Sequence, residues 1–210
     1  FDWQGHGQSG REGNPEQLYD FEEMGNTIQE VLSELNVENT VIVGHSFGGH
    51  LAINYLNLFP KMRGLVLFGT PPFTQPPKLE EAFLPNECIP LLFNPELSED
   101  QMRLMGSQFS VQQENHEKLF QYIQNTDPMF RAMTGKQIME GKVKDEWAII
   151  SEFDKPLMIL HGENDPIINV EYLRKIQNPN LWKNEVQVIA NAGQLTQVDD
   201  SEAFNSTLLE

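Results

Sequence analysis

The sequence predicts an α/β protein in which a mostly parallel sheet is flanked by helices. Short, continuous apolar runs alternate along the chain with segments whose apolar residues recur at helical spacing, which is typical of consecutive βαβ units. A glycine-rich turn joins one of these runs directly to a helix. The 210 residues are 39% hydrophobic and 21% charged, a composition typical of one globular domain that is large enough to bury a core.

Charge and cysteine content exclude several other classes of protein. The formal net charge of −17 argues against a nucleic-acid partner, because phosphate binding requires a basic surface. No run approaches the roughly 18 consecutive apolar residues of a membrane-spanning helix. The single cysteine, Cys88, rules out an internal disulfide, and we expect it to be a small buried group. Since no signal-peptide pattern is visible, these features predict a cytoplasmic protein that contacts neither nucleic acid nor membrane.

The first element is a glycine-dense turn at residues 4–10, and a helix follows it. Turns of this kind normally follow a strand, so we expect the N-terminal strands of the sheet to be absent from the chain. Over residues 22–35, apolar side chains such as Met24 and Ile28 recur at helical spacing and predict a helix with one buried stripe. Asn36 is expected to end this helix.

Four short apolar runs predict the strands of the sheet. The β-branched residues of 40–43 are expected to form a strand that is buried on both faces, as in a parallel sheet. A helix is predicted over residues 47–58, ending before Pro60. The remaining predicted strands are residues 64–69, 156–160 and 186–189. Their alternation with helices indicates that the strands pair in parallel.

The segment from residue 71 to residue 153 breaks this alternation. It contains no convincing strand but several helical patterns, which prolines separate. We therefore predict a helical cap over one edge of the sheet, formed by residues 71–153, and a core formed by residues 1–70 and 154–210. The methionines and phenylalanines of the cap are interpreted chiefly as packing residues, although such side chains also suit an adaptable apolar pocket wall.

Ser46 is the strongest candidate for a catalytic residue. It lies in GHSFG at residues 44–48, directly after a predicted buried strand and directly before a predicted helix. In this setting a sharp turn lifts the serine hydroxyl above the carboxyl end of the sheet, and the flanking positions must be small. The Phe47 N–H would lie at the helix N-terminus, where it can stabilise a developing oxyanion. The alternative interpretation is a glycine-rich turn that contains an incidental serine.

A catalytic triad also needs an acid and a base, which follow the serine along the chain in this order. The acid is expected in the loop after the strand at residues 156–160, because this loop lies at the same sheet edge as Ser46. Asp165 is the first candidate for the acid, and Glu163 is the second. The structural alternative for Asp165 is an Asx turn before a proline. His161, which ends the strand, is interpreted as a structural residue.

A glutamine occupies the position where a general base is expected. After the last predicted strand, the turn at residues 191–193 is followed by Gln194, and no histidine lies beyond His161. A glutamine amide donates and accepts hydrogen bonds, but it does not take up a proton near neutral pH. Gln194 can therefore hold a water or a substrate carbonyl, but it cannot act as the base.

The remaining histidines carry no predicted catalytic role. We interpret His6 and His50 as hydrogen-bonding residues of a turn and a helix, and His45 as a packing residue beside the nucleophile. No cluster of His, Asp, Glu or Cys has the spacing of a metal site, and no dinucleotide-binding glycine pattern follows a strand. We predict no metal and no other cofactor.

Four motifs together resemble those of the α/β-hydrolase superfamily, over nearly the whole chain. They are DWQGHGQS at residues 2–9, GHSFGG at 44–49, HGEND at 161–165 and NAGQ at 191–194, where the family has a histidine in place of the glutamine. Two further stretches, FPKMRGL at 59–65 and NLW at 180–182, are similar to those of bacterial quorum-quenching hydrolases that open N-acyl-homoserine lactones.

The resemblance implies an α/β-hydrolase fold and a serine hydrolase activity on carboxylic esters or lactones. Ser46 would attack the carbonyl of a small acyl ester or lactone, Asp165 would be the acid, and the Phe47 N–H would supply half of the oxyanion hole. The loop with the second oxyanion donor is expected to be absent together with the N-terminal strands. Because Gln194 replaces the base, we expect impaired turnover. The alternative is a catalytically inactive relative that binds a small hydrophobic ligand under the cap.

Overall fold

In the computed structural model, which describes residues 2–36 and 39–210, four parallel strands form one sheet. They are β1 (Val41–His45), β2 (Gly64–Phe68), β3 (Leu157–Gly162) and β4 (Gln187–Ile189), side by side in this order. All three neighbouring pairs are parallel, so the carboxyl ends of the strands meet at one edge of the sheet. The predicted α/β class with a mostly parallel sheet is confirmed.

Helices of very different length connect these strands. The α-helices of the described ranges are α1 (Pro15–Leu18), α2 (Phe21–Leu35), α3 (Phe47–Asn54), α4 (Leu79–Ala82), α5 (Glu99–Phe109), α6 (His116–Asn125), α7 (Pro128–Met139), α8 (Glu146–Ser151), α9 (Val170–Leu173), α10 (Thr196–Asp199) and α11 (Ser201–Leu209). Short 3-10 turns lie at Leu56–Leu58, Pro90–Phe93, Gln113–Asn115 and Trp182–Asn184. Within the described ranges, no helix is long and apolar enough to cross a membrane.

Burial differs between the inner strands and β1. Every residue of β2 and β3 is buried, which explains their continuous apolar sequences. On β1, by contrast, the side chains of Val41 and Val43 are 55% and 47% exposed. The prediction that residues 40–43 are buried on both faces is therefore wrong. Within the described sheet, β1 pairs only with β2 and lies at the edge.

Successive residues of β2 point to opposite faces of the sheet, and each face packs against different helices. Leu65 lies in a buried cluster with Ile53 of α3. Val66 lies in a second buried cluster with Phe204 of α11. Each such side chain stabilises the fold by about 1.5–3 kcal/mol through its removal from water. This two-sided packing holds the strand ends, where the candidate site residues lie, in fixed positions.

The two helices beside β1 begin near the predicted residues, but one of them ends earlier. The α2 helix begins after Asp20, whose side chain accepts a hydrogen bond from an N–H of the first turn, and ends at Asn36 in the left-handed conformation (φ 48°). The predicted helix over residues 47–58 is wrong in its last turn, because α3 ends at Asn54 and a 3-10 turn follows. The chain tightens there before Pro60, which cannot continue a helix.

Between β2 and β3 the chain, described there without a gap, forms the helices α4 to α8 and no strand. Cys88 of this segment is fully buried beside Met105, as expected of a small apolar group. Ile150 of α8, however, belongs to the same buried cluster as Leu65 of the sheet. The division into a core of residues 1–70 and 154–210 and a cap of residues 71–153 stays a prediction, since α8 packs with the core.

Candidate active site

Ser46 lies at the sharp turn between β1 and α3. Its backbone adopts φ 48° and ψ −121°, a conformation that costs a non-glycine residue free energy and occurs chiefly at functional sites. Two contacts hold this conformation. The Ser46 N–H donates to the Phe68 carbonyl at 3.0 Å, and the Thr70 Oγ1 donates to the Ser46 carbonyl at 3.0 Å. The strained turn is therefore fixed by residues at the end of β2.

Small residues allow strand and helix to approach each other at this turn. A Cβ atom on Gly44 would lie 2.6 Å from the Gly49 Cα, a distance that real Cβ atoms essentially never show. A larger residue at position 44 would push α3 away from β1 and displace Ser46. A Cβ atom on Gly49 would overlap Thr70 Oγ1. Gly44 is thus explained by the close contact between β1 and α3, and Gly49 by the contact between α3 and Thr70. A Cβ atom on Gly48, by contrast, would meet nothing within 4 Å beyond its own helix in the described part of the chain.

The first amide of α3, that of Phe47, directly follows Ser46 at the N-terminus of the helix. The Phe47 N–H begins the helix and has no partner within it, as is true of the first amides of every α-helix. The helix dipole adds partial positive charge at the same place. The region next to the Ser46 hydroxyl therefore suits a negatively charged oxygen.

Ser46 opens into a cavity of about 410 Å3 that residues of the sheet edge and of the 71–153 segment enclose. Phe47 and Gln194 line the same cavity. Most of its wall is apolar and includes Phe73, Phe93, Met105, Phe109, Phe130 and Ile167. Several phenylalanines and one methionine, Met105, of the predicted cap, which were interpreted chiefly as packing residues, thus form part of the wall. The cavity suits a small molecule with a hydrocarbon chain.

Asp165 is buried in the loop after β3, with 6% of its surface exposed. Its Oδ1 accepts hydrogen bonds from the N–H groups of Ile167 and Ile168, at 2.8 and 3.1 Å. These contacts form the Asx turn of the structural alternative. Its Oδ2 is also buried and has no hydrogen-bond partner among the described residues. Burial raises the pKa of this carboxyl to about 6, against the opposing effect of the two amides.

Gln194 is buried in the segment after β4. Its Nε2 donates to the Gly69 carbonyl at 3.1 Å, and its backbone carbonyl accepts a hydrogen bond from His45 Nε2 at 3.1 Å. Its Oε1 is buried and, in the described part of the chain, meets no donor. A Cβ atom on Gly69 would come within 2.6 Å of the Gln194 side chain, so this side chain packs tightly on the end of β2.

The loops after β3 and β4, which carry the first candidate acid and Gln194, are joined by two hydrogen bonds. The Asn164 N–H donates to the Ala192 carbonyl at 2.8 Å, and the Asn191 N–H donates to Glu163 Oε2 at 3.2 Å. Glu163, the second candidate acid, is exposed, unlike the buried first candidate. The two loops therefore form one unit at the carboxyl edge of the sheet.

A carboxylate that the sequence analysis missed fixes the turn before Gln194. Asp199 Oδ2 accepts a hydrogen bond from the Gly193 N–H at 2.7 Å, and Asp199 Oδ1 accepts one from the Ser110 hydroxyl. Ser110 directly follows α5. The position of Gln194 thus depends on the helical segment as well as on the sheet. No local pattern in the sequence indicates this contact, because Ser110 and Asp199 are 89 residues apart.

Burial lowers the pKa of three histidines. It lowers the pKa of His45 to about 4, which the bond to the Gln194 carbonyl only partly opposes. It also lowers the pKa of His161 to about 4, with a smaller contribution from Arg174, and it lowers the pKa of His6. Since a carbonyl only accepts hydrogen bonds, His45 Nε2 carries the proton in its bond to Gln194.

The structure also contains a buried polar cluster around Glu146 at the start of α8. Glu146 has no exposed surface, and its Oε2 accepts hydrogen bonds from His50 Nδ1 at 2.7 Å and from the Phe73 N–H at 2.9 Å. Its Oε1 accepts one from Asn54 Nδ2 at 2.5 Å. His50 also lines the cavity of Ser46. A hydrogen-bonding role was predicted for His50, but neither its partner nor its place on the cavity wall was predicted.

The prediction of no metal and no other cofactor stays a prediction. In the described ranges, no group of three or more His, Cys, Asp and Glu side chains is arranged to hold a metal ion. The polar groups of the cavity comprise hydroxyls, an amide, imidazoles and a guanidinium, which suit hydrogen bonding to an organic ligand.

Sequence comparison identifies relatives of the whole chain. Residues 1–182 match the hydrolase family described as serine aminopeptidase, S33. The AB hydrolase superfamily protein YisY of Bacillus subtilis (strain 168) is 24% identical over 218 residues, covering 100% of this chain and 78% of the relative. The non-heme chloroperoxidase CPO-A1 of Kitasatospora aureofaciens is 24% identical over 208 residues, covering 91% of this chain and 74% of the relative.

Solved structures show the same fold. The N-acyl homoserine lactonase AidH complexed with N-butanoyl homoserine is similar with a TM-score of 0.91 at 25% identity, over 99% of this chain and 75% of that one. An esterase from Exiguobacterium antarcticum is similar with a TM-score of 0.77 at 18% identity, over 99% of this chain and 78% of that one. The chain therefore belongs to the α/β-hydrolases, in the family described as serine aminopeptidase, S33.

Proposed function

We propose that this chain is a serine hydrolase of carboxylic esters or lactones, with Ser46 as the nucleophile. The observation that carries the proposal is the strained turn at Ser46, which opens into an apolar cavity beside the first amide of α3. Such a backbone conformation costs about 1–3 kcal/mol. A turn with an incidental serine gains nothing that offsets this cost, whereas a nucleophile gains exposure to a substrate.

In the proposed reaction, Ser46 Oγ forms a bond to the carbonyl carbon of the substrate while its proton moves to a base. The carbonyl electron pair moves to the oxygen, and the Phe47 N–H stabilises the charge as half of the oxyanion hole. Collapse of this intermediate breaks the bond to the alcohol oxygen, which takes up a proton, and leaves an acyl group on Ser46. Water then attacks the acyl group and releases the acid.

Asp165 is proposed as the acid of the site, and Gln194 stands at the position of the base. Asp165 is buried and has an unpaired Oδ2 in the loop that is bonded to the Gln194 loop. Because a glutamine does not accept a proton, the present chain activates Ser46 poorly, and its turnover is impaired relative to a form with histidine at residue 194. Loss of one member of a catalytic triad of serine, base and acid lowers turnover by several orders of magnitude.

N-acyl-homoserine lactones are the proposed substrate class. Two features support this choice. The cavity wall is mostly apolar and suits an acyl chain, and the chain is similar over nearly its whole length to AidH, which is described as an N-acyl homoserine lactonase. In a lactone the acyl and alcohol parts belong to one molecule, so the leaving alcohol remains attached until water releases the opened product.

Covalent labelling tests the nucleophile directly. A fluorophosphonate should label the protein once per chain, peptide mapping should place the label on Ser46, and Ser46→Ala should abolish it. Slow hydrolysis of p-nitrophenyl butyrate and of N-hexanoyl homoserine lactone should also disappear in Ser46→Ala. Labelling at another residue, or hydrolysis that survives this substitution, would contradict the proposal.

A second candidate function is a catalytically inactive relative that binds a small hydrophobic ligand under the cap. The glutamine at residue 194 favours it, since its Oε1 and Nε2 suit ligand binding rather than proton transfer. The two candidates differ in the fate of bound N-hexanoyl homoserine lactone. Calorimetric binding with full recovery of the intact lactone, together with failure of Gln194→His to gain hydrolysis, would support the binding protein over the enzyme.

A further inference from the structure

We propose that His50, oriented by Glu146, is the proton acceptor for Ser46 in this chain. The proposal rests on the proposed function, because it assigns a base to the same serine. Gln194 occupies the expected position of the base and cannot accept a proton. An imidazole that faces the nucleophile's cavity and is bonded to a buried carboxylate has the chemistry of a general base, and His50 meets both conditions.

The hydrogen bonds of Glu146 determine which nitrogen of His50 carries the proton. An ionised carboxylate only accepts hydrogen bonds, and Glu146 Oε2 lies 2.7 Å from His50 Nδ1. The other partners of the carboxylate, the Phe73 N–H and Asn54 Nδ2, are also donors. His50 Nδ1 is therefore protonated, and the neutral ring presents an unprotonated Nε2. This is the tautomer that a base for a serine hydroxyl requires.

His50 follows Ser46 by one turn of α3, so both residues lie on the same side of the helix. The His50 N–H donates to the Ser46 carbonyl at 3.2 Å, which fixes the spacing of the two residues. The His50 ring stacks on Phe73 with 4.3 Å between the ring centroids, and 12% of the side chain is exposed. Because both side chains line one cavity, proton transfer proceeds directly or through one cavity water.

The other ionisable groups around the cavity are less suited to this role. Those on the wall are His6, His45, Tyr122 and Arg131. His45 uses its protonated Nε2 in the bond to Gln194, and His6 donates through Nδ1 to the neutral carbonyl of Gln4 rather than to a buried carboxylate. Arg131 is a permanent cation whose Nε donates to the Asn94 carbonyl. Behind the wall, Lys144 bonds to Asn54 rather than to the histidine.

In the proposed step, the bond from Ser46 Oγ to the carbonyl carbon forms as the Oγ–H bond breaks, and the proton moves to His50 Nε2. The ionised Glu146 stabilises the resulting imidazolium and keeps its own charge. When the intermediate collapses, the Nε2 proton moves to the leaving alcohol oxygen, which restores the neutral ring. The same ring then accepts a proton from the water that attacks the acyl group and returns it to Ser46 Oγ as the bond between the acyl carbon and Oγ breaks and the acid is released.

The test is the rate at which a fluorophosphonate labels Ser46 in the full chain, measured from about pH 5 to pH 9, where an imidazole changes charge. His50→Asn is the main variant, because asparagine keeps a donor near the Nδ1 position for Glu146 and removes Nε2. We expect the labelling rate to fall by about 10²-fold or more, to lose its rise with pH, and to recover partly with added imidazole. Glu146→Gln, the change at the positioning residue, should lower the rate by about tenfold.

The outcomes separate this proposal from the proposed function. If the label survives Ser46→Ala, the proposed function itself is wrong. If Ser46 is labelled and His50→Asn retains the rate and pH profile of the parent chain, only the role of His50 is overturned. In a Gln194→His background, His50→Asn should cost a smaller factor, because the new imidazole takes over the proton. An equal loss in both backgrounds would indicate a structural role and would also overturn the proposal.

NMR of the parent chain with ¹⁵N-labelled histidine identifies the His50 tautomer directly. This measurement needs no substituted chain, so its result does not depend on whether a variant folds. We expect the neutral His50 ring to carry its proton on Nδ1 and to show an unprotonated Nε2. Addition of a fluorophosphonate should shift the Nε2 resonance, since the label occupies the shared cavity. A His50 ring protonated on Nε2 alone would overturn the proposal.

Discussion

The two buried carboxylates Glu146 and Asp165 differ in how many of their oxygens accept hydrogen bonds. Glu146 is fully buried, and each of its oxygens accepts at least one hydrogen bond from a side chain. Asp165 is almost as deeply buried, yet only its Oδ1 is bonded, and its Oδ2 meets no donor among the described residues. A buried charge is tolerated when donors meet its lone pairs and is costly when they do not.

The contrast shows where a donor is lacking in the site. Gln194 Oε1 is a second buried acceptor without a partner in the described part of the chain, and its loop is bonded to the loop of Asp165. Two neighbouring loops thus each bury an acceptor that lacks a donor. A histidine at residue 194 would bring a ring N–H in place of an amide oxygen. The network around Glu146 is complete, whereas that around Asp165 lacks one N–H group.

The largest effect is expected from Gln194→His, which supplies that group. We expect kcat/KM for p-nitrophenyl butyrate and N-hexanoyl homoserine lactone to rise by about 10²- to 10⁴-fold, because the imidazole accepts the Ser46 proton and Asp165 stabilises the imidazolium. Steady-state kinetics of both chains measure the change. Gln194→Asn is the matched control, since it alters the same buried site without adding a base, and it should bring no gain. Equal rates for all three chains would show that residue 194 does not supply the group that Ser46 and Asp165 lack.

The next largest effect is a loss of stability when Glu146, whose two oxygens both accept hydrogen bonds, is replaced. Glu146→Ala removes the acceptor of three donors in the core, of which Asn54 Nδ2 keeps its bond to the His50 carbonyl. We expect the free energy of unfolding to fall by about 3 kcal/mol. Urea unfolding followed by tryptophan fluorescence measures the change. Asp165→Ala removes a carboxylate with fewer partners and should cost less. If Asp165→Ala proves the more destabilising substitution, the two carboxylates do not differ in the way described above.

The parts of the molecule that follow from local sequence were predicted best. Residues 64–68 are uninterrupted apolar residues and form β2, and the strand–glycine–helix order around Ser46 predicts the sharp turn. The exposure of Val41 and Val43 was not predicted, because an apolar run reports the chemistry of a strand but not its neighbours. The end of α3 was also missed, since the chain continues as a 3-10 turn at Leu56–Leu58 rather than as α-helix.

The site could be predicted only where each residue directly follows a strand. Asp165 and Gln194 follow β3 and β4, and their meeting at one sheet edge is a consequence of parallel pairing. The His50–Glu146 pair was missed because it joins residues 96 apart, and no local pattern reports such a contact. The missing donor at Asp165 Oδ2 likewise emerges only from the packed structure.

The stability of the protein should depend on pH through the buried carboxyl of Asp165, whose Oδ2 has no partner among the described residues. Folding raises the pKa of Asp165 from 3.8 to about 6, so the folded state binds the proton more tightly than the unfolded state does. This group therefore favours the folded state below pH 4, and its contribution is lost as the pH rises through about 6. The loss corresponds to about 3 kcal/mol.

Asp165→Asn isolates this contribution, because asparagine keeps an acceptor for the two amides and does not ionise. Relative to the parent chain, the variant should gain stability between pH 4 and pH 8, with most of the change near pH 6. Urea unfolding at several pH values measures the difference. A difference that stays constant over this range would show that Asp165 titrates as an ordinary carboxyl and that its Oδ2 is not deprived of donors.

The smallest effect is expected at a third carboxylate, Glu163, the second candidate for the acid. It is exposed, and its Oε2 accepts only the weak bond from the Asn191 N–H at 3.2 Å. In the Gln194→His background, Glu163→Gln should lower kcat/KM by less than about threefold, because solvent screens an exposed charge. Asp165→Asn in the same background should remove most of the gain, since a buried carboxylate orients and stabilises the imidazolium. If Glu163→Gln is the more damaging change, the exposed residue is the acid, and Asp165 serves only the Asx turn that its Oδ1 forms.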